Sequence, residues 1–151
     1  MKRMRVFTGI ALALPLFAQQ NFAGKWEFNT SASKNIGMMA QMKMIATIQQ
    51  TNDELIVNTV TTFNGQDSAS EVRLNLKAKP VPNKNPMEAT AETVTKWEGK
   101  RLITTWTSPG SVAGTQSVRT ETRSLSDDGK TLTIESSRGK APAVVMVYDR
   151  K

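Results

Sequence analysis

Phe22-Ala23-Gly24-Lys25-Trp26-Glu27-Phe28 is the stretch of this 151-residue chain whose reading decides the fold. Phe22, Gly24 and Trp26 stand at alternate positions, so in an extended segment they share one face of a β-strand. Gly24 leaves room on that face for a close backbone or ring contact, and Trp26 supplies a large apolar plate. A strand of this kind needs other strands to cover its indole, and both directions along the chain bear on how that cover is built.

Upstream, residues 1–18 have the three parts of a secretory signal peptide. Lys2, Arg3 and Arg5 form a basic start, Val6 to Leu14 is an apolar run broken by Pro15, and Ala18 offers a small residue for cleavage before Gln19. The apolar run is too short to span a bilayer comfortably, so no stable membrane anchor is expected. The mature chain is then one domain, residues 19–151, exported to the periplasm or beyond.

Composition narrows the chemistry. The chain has no Cys, which excludes disulfides and thiolate metal sites, and a domain of this length buries enough surface to fold without them. It has no His, which removes the usual general base and the commonest metal ligand. A Ser-His-Asp triad cannot be built, and the glycines stand singly in turns rather than in a phosphate-binding loop. No catalytic residue, metal or cofactor is therefore expected. Of the 20 basic residues three lie in the signal, leaving 17 against 13 acidic ones, a net of +4. The positive charge is scattered rather than run together, which reads as a solvated surface and not a nucleic-acid footprint.

Downstream, short β-prone runs alternate with turn signals. Met44 to Thr51 and Leu55 to Phe63 flank Asn52-Asp53, and Asn64-Gly65 suits a type I′ hairpin. From Ser70 to Ala78, Val72, Leu74, Leu76 and Ala78 point one way and Glu71, Arg73, Asn75 and Lys77 the other. Pro80, Pro82 and Pro86 make Lys79 to Met87 a loop or an edge. Further hairpins are expected around Gly99 and around Asp127-Asp128-Gly129, with a turn at Gly139 to Pro142 before a final strand, for about nine strands in all. The one plausible helix is Ile36 to Met44, with Asn35 as its cap and Met38, Met39 and Met42 on one side. No βαβ rhythm occurs, so the expectation is an all-β, antiparallel, up-and-down barrel with one short helix after the first strand.

With that order of elements in view, Gly24-Lys25-Trp26, Asp128-Gly129-Lys130-Thr131-Leu132-Thr133 and Val147-Tyr148-Asp149-Arg150 resemble the small secreted lipocalin-like domains of bacteria, within the lipocalin and fatty-acid-binding-protein group. The resemblance implies a barrel that holds a small apolar or amphipathic molecule without covalent chemistry. It also implies a late Arg packed over Trp26, either Arg138 or Arg150. One departure stands out. Fatty-acid-binding proteins end in Arg-x-Tyr, which grips a carboxylate, whereas Tyr148 here is followed by Arg150.

The candidate ligand-binding residues are Trp97, Trp106, Arg119, Arg123, Tyr148, Met38 and Met42, with Phe22, Gly24 and Trp26 as the structural motif. Trp97 and Trp106 flank one hairpin; they either flank a ligand or, more simply, pack together as core rings. The methionines either line an adaptable lid or simply close the barrel end. Arg119, Glu121 and Arg123 alternate with Val118, Thr120 and Thr122. Facing out they form a solvated charge ladder, the simpler reading; facing in they form a polar wall able to hold an anionic head. Both faces of this run are polar, so alternation alone does not choose. The expected partner is a small hydrophobic or amphipathic anionic molecule. The rivals are a barrel filled by its own side chains and, further off, an enzyme using buried carboxylates with Tyr148.

Overall fold

The computed structural model describes residues 19–85 and 89–151; the expected signal at 1–18 and the stretch 86–88 lie outside the described residues. Ten strands follow one another: β1 Gly24–Phe28, β2 Lys43–Gln50, β3 Glu54–Phe63, β4 Gln66–Asn75, β5 Val81–Lys84, β6 Thr90–Glu98, β7 Arg101–Pro109, β8 Gln116–Leu125, β9 Thr131–Ser137 and β10 Val144–Arg150. Each pairs antiparallel with its neighbours in sequence except at one break, and β1 pairs with β10, giving the order β4-β3-β2-β1-β10-β9-β8-β7-β6-β5. The result is the expected all-β antiparallel barrel. Its turns follow the local chemistry: Asn64 and Gly65 both take positive φ, +50° and +74°, as a type I′ turn demands.

The break lies between β4 and β5, where a side chain does the work of a ladder. Asn83 Oδ1 accepts from the Arg73 backbone N–H at 3.0 Å, and its Nδ2 donates to the Arg73 carbonyl at 2.8 Å and to Thr93 Oγ1 at 2.8 Å. One amide thus satisfies both backbone groups of a β4 residue, much as a peptide on a neighbouring strand would. Thr93 Oγ1 donates onward to the Val81 carbonyl at 2.8 Å, and Ala78 N–H reaches Thr95 O at 3.1 Å. Two surface grooves of about 290 Å³ each flank β5 on this seam.

The closed end is built on the opening motif. Phe22 and Trp26 are fully buried, with Leu55, Leu74, Leu102 and Leu132 around them, and Trp26 Nε1 donates to the Phe22 carbonyl at 2.9 Å. Arg150, not Arg138, covers the indole, its Cζ 4.2 Å from the ring centroid. Its guanidinium also donates to the carbonyls of Gly129 and Ala23, both at 2.9 Å. Gly24 is required here twice over: its φ is +136°, and a Cβ would stand 2.5 Å from Arg150 Nη1.

Several local expectations need correction. The segment after β1 carries not a helix over Ile36 to Met44 but one 3-10 turn, Gly37–Gln41, before β2 begins at Lys43. Asn35 sits at φ +56° and does not cap it. Gly37, itself at φ +53°, and the start of β2 at Lys43 leave too few residues for an α-helix to nucleate. Of the loop or edge expected at Lys79 to Met87, the structure shows an edge at the four-residue strand β5, which tolerates Pro82 and raises the strand count to ten. Strand β4 starts at Gln66, earlier than expected, and Ala78 lies beyond it, exposed at φ +58°. In the far half of the β3–β4 hairpin, β4 is exposed on both faces from Gln66 to Glu71, while β3 is exposed at Asn58 and Val60 and half-buried at Thr59, Thr61, Thr62 and Phe63.

Candidate functional site

Strand β8 carries its charges into the barrel. The cause lies in the register with its neighbours. Leu125 pairs with Leu132 and Arg123 with Ile134 on β9, while Arg123 pairs with Leu102 on β7. Directly paired residues share a face. Leu102, Leu132 and Ile134 are buried in the core, so Arg123 must face inward, and with it Glu121 and Arg119. Of the two orientations left open by the alternation, the register selects the inward polar wall over the outward ladder. The useful signal was in the sequence, but across the Asp127-Asp128-Gly129 hairpin rather than within β8.

The register stacks this wall in levels. Trp97, Leu102, Arg123, Ile134 and Met146 stand side by side across β6 to β10. Thr95, Thr104, Glu121, Ser136 and Val144 form the next level, and Thr93, Trp106 and Arg119 the one beyond. Glu121 lies between the two arginines: its Oε2 is 3.0 Å from Arg119 Nη1 and its Oε1 2.8 Å from Arg123 Nη2. The latter is a close ion pair without hydrogen-bond alignment. Side-chain exposure is 17% for Arg119 and 6% for both Glu121 and Arg123, so these charges are largely out of water. Arg119 also lies over the Trp106 ring, 4.6 Å from its centroid. Burial lowers its pKa, Glu121 opposes that, and the positive charges of Arg138 and Arg123 add to the lowering. Arg138, just after β9, therefore lies near enough to be felt at this level.

The cluster has more donors than acceptors. Trp97 Nε1, Trp106 Nε1, Arg123 Nε and Arg123 Nη1 are buried with no hydrogen-bond acceptor among the described residues. Leaving such a donor unpaired costs roughly 1–3 kcal/mol. The neighbouring hydroxyls are committed elsewhere: Thr95 Oγ1 and Thr104 Oγ1 bond each other at 2.9 Å, and Thr93 serves the seam. Two guanidiniums against one carboxylate leave one uncompensated positive charge. Chemically, this is a place that takes an anion.

The remaining candidates divide. Tyr148 is buried, its ring 5.2 Å from that of Phe28, and burial pushes its phenol up to about 12, with Arg123 pulling it down and Glu121 pushing it up. It therefore lies within electrostatic reach of the arginines. The inward position two residues before it is Met146, so β10 brings no Arg beside Tyr148; Arg150 belongs to the closed end. Trp97 does not pair with Trp106: it stacks on Phe22, centroids 5.9 Å apart. Met38 is 68% exposed and leaves the site, so the methionines form no single stripe. Met39 and Met42, with Ile36, pack half-buried against the core at the end opposite Trp26. Asn83, Thr93, Thr95 and Thr104, a buried polar strip at the seam and behind the cluster, were not singled out from sequence. Among the described residues no group of acidic side chains is arranged to hold a metal ion.

No protein-family model matches the chain, and no curated protein does. Solved structures with a similar fold include the REP1-NXSQ fatty acid transporter, 17% identical, covering 85% of this chain and 95% of its own, with a TM-score of 0.67. The apo lipid binding protein 8 of Caenorhabditis elegans is 14% identical over 91% of this chain and 100% of its own, TM-score 0.69. Human cRBP IV is 14% identical over 87% and 99%, TM-score 0.66. The two most descriptive of these names are of a transporter and a lipid binder, and none is of an enzyme. The fold of this chain is that of the lipocalin and fatty-acid-binding-protein-like barrels.

Proposed function

We propose that the protein is an exported, non-enzymatic binder of a small amphipathic anion, whose head sits at Arg119 and Arg123. The observation that carries this is a set of buried donors, Trp97 Nε1, Trp106 Nε1, Arg123 Nε and Arg123 Nη1, that no acceptor meets among the described residues, beside two guanidiniums that share one carboxylate. A carboxylate or phosphate there gains charge-assisted hydrogen bonds. The apolar tail lies among Val72, Met146, Met39 and Met42, which are only partly buried and, in the methionines, flexible enough to repack. The fold is compatible with such a role without requiring it. Export rests on the signal read in residues 1–18, and it expects secreted protein to begin at Gln19.

The test is displacement of a fluorescent anionic lipid probe by a fatty acid and by the alcohol of equal chain length. Binding at micromolar level is expected for the acid. Arg123→Met should weaken the acid about tenfold or more, the worth of one charge-assisted bond, and the alcohol far less. Arg73→Ala should change neither, because its guanidinium faces outward to Glu54 and Glu71. Equal losses for acid and alcohol would sink the proposal. A second reading, a barrel filled by its own side chains, is favoured by the complete burial of Leu55, Leu74, Leu102, Leu132 and three threonines. It becomes the better account if no amphiphile binds.

A further inference from the structure

Resting on that binding reading, we infer that Glu121 sets the charge of the ligand: it holds the site to monoanions and turns dianions away. The geometry is direct. Glu121 is the one buried acid among the described residues, and it contacts both arginines with its two oxygens, 3.0 Å to Arg119 and 2.8 Å to Arg123. A ligand with one negative charge brings the trio of Arg119, Glu121 and Arg123 to neutrality. A second negative charge would stand beside the Glu121 carboxylate in a poorly solvated interior, where unbalanced charge is costly.

The strands beside β8 bring no further formal charge to Arg119, Glu121 and Arg123, whereas Arg138, just after β9, adds positive charge at Arg119. From β7 come Thr104 and Trp106, from β9 Ile134 and Ser136, and from β6 Thr95 and Trp97, none of them charged. From β10 comes Tyr148, neutral well above physiological pH. Arg138 adds positive charge near Arg119 only, at the more exposed level. The donors left unpaired are Arg123 Nε and Nη1 and the indole N–H groups of Trp97, on the Arg123 level, and of Trp106, on the Arg119 level. The Arg123 donors suit the oxygens of a head group, while Glu121 pairs with Arg119 Nη1 and Arg123 Nη2.

An alkyl phosphate monoester tests this in the unaltered protein. It passes from monoanion to dianion around pH 6, whereas an alkyl sulfate of the same chain length stays a monoanion throughout. The protein has no His, so none of its side chains has an ordinary pKa between about pH 5 and about pH 8. Calorimetric titration of both ligands at the two ends of that range is expected to show the phosphate weakening by at least about fivefold on going up, with the sulfate nearly constant. Glu121→Gln should abolish that loss and favour the dianion over the sulfate. Sulfate binding with phosphate affinity that is unchanged or rises with pH overturns the role of Glu121 and leaves the binding reading standing. Loss of selectivity in Arg73→Ala to the same degree as in Glu121→Gln overturns it too. Failure of both ligands to bind at either pH removes the binding reading itself.

Discussion

Replacing Asn83 by Ala should open the barrel at its one unladdered seam. Three hydrogen bonds disappear, two to the Arg73 backbone at 3.0 and 2.8 Å and one to Thr93 Oγ1 at 2.8 Å. Each such bond contributes about 1 kcal/mol net, so the sum is about 3 kcal/mol. The grooves beside β5 let water reach the Arg73 N–H and carbonyl once they are freed, which returns part of that, and the expected loss is about 2–3 kcal/mol. Strand β5 has only four residues and no other ladder partner than β6, so little else holds β4 to it. Urea unfolding of the variant reads the loss, and amide hydrogen exchange locates it. The Arg73 N–H should exchange much faster in Asn83→Ala, while the N–H groups of β8 and β9 slow or quicken only with global stability. A loss below about 1 kcal/mol with Arg73 still protected would refute the claim that this amide closes the barrel.

Two further outcomes follow from the core. Trp26→Ala should cost about 3–5 kcal/mol in urea unfolding, because a fully buried indole is removed and Arg150 loses the ring it covers; a loss under about 1 kcal/mol would mean the ring is not the plug of the closed end. Tyr148 is the only tyrosine, so tyrosinate absorbance reports it alone. Its folded pKa of about 12 lies above the ordinary 10.0, so the buried neutral phenol contributes its full stability below pH 10 and loses it progressively as pH rises through about 12. Native protein titrating at the ordinary value, with no fall in the urea midpoint across that window, would place the ring at the surface.

Much of the fold was legible in local sequence, because local sequence determines it. Period-two runs, Asn64-Gly65 and the glycines after Glu98 and Asp128 act within a few residues, and they define strands and hairpins before any distant contact forms. The spacing of Phe22, Gly24 and Trp26 likewise marked the closed end correctly. Where the chain misled, two weak local preferences met. The methionine-rich stretch read as a helix, but Gly37 and the approach of β2 cut it to one 3-10 turn, and Met38 turned outward. The prolines around Val81 left a loop or an edge open, and the structure makes Val81–Lys84 an edge strand that accepts Pro82 because an edge needs few ladder bonds.

By itself, then, the sequence determined a cysteine-free, histidine-free, antiparallel barrel opening on a buried Trp. Only the tertiary structure decided which way the charges of β8 point. On that strand both faces are polar, so its own alternation carries no preference. Its orientation comes from Leu102, Leu132 and Ile134 on the strands beside it, since paired residues share a face and those three could not be left in water. The choice of Arg150 over Arg138 to cover Trp26, and of Asn83 to close the seam, has the same origin. Each depends on which distant backbone groups the closing sheet brings within about 3 Å, a distance that no spacing along the chain encodes.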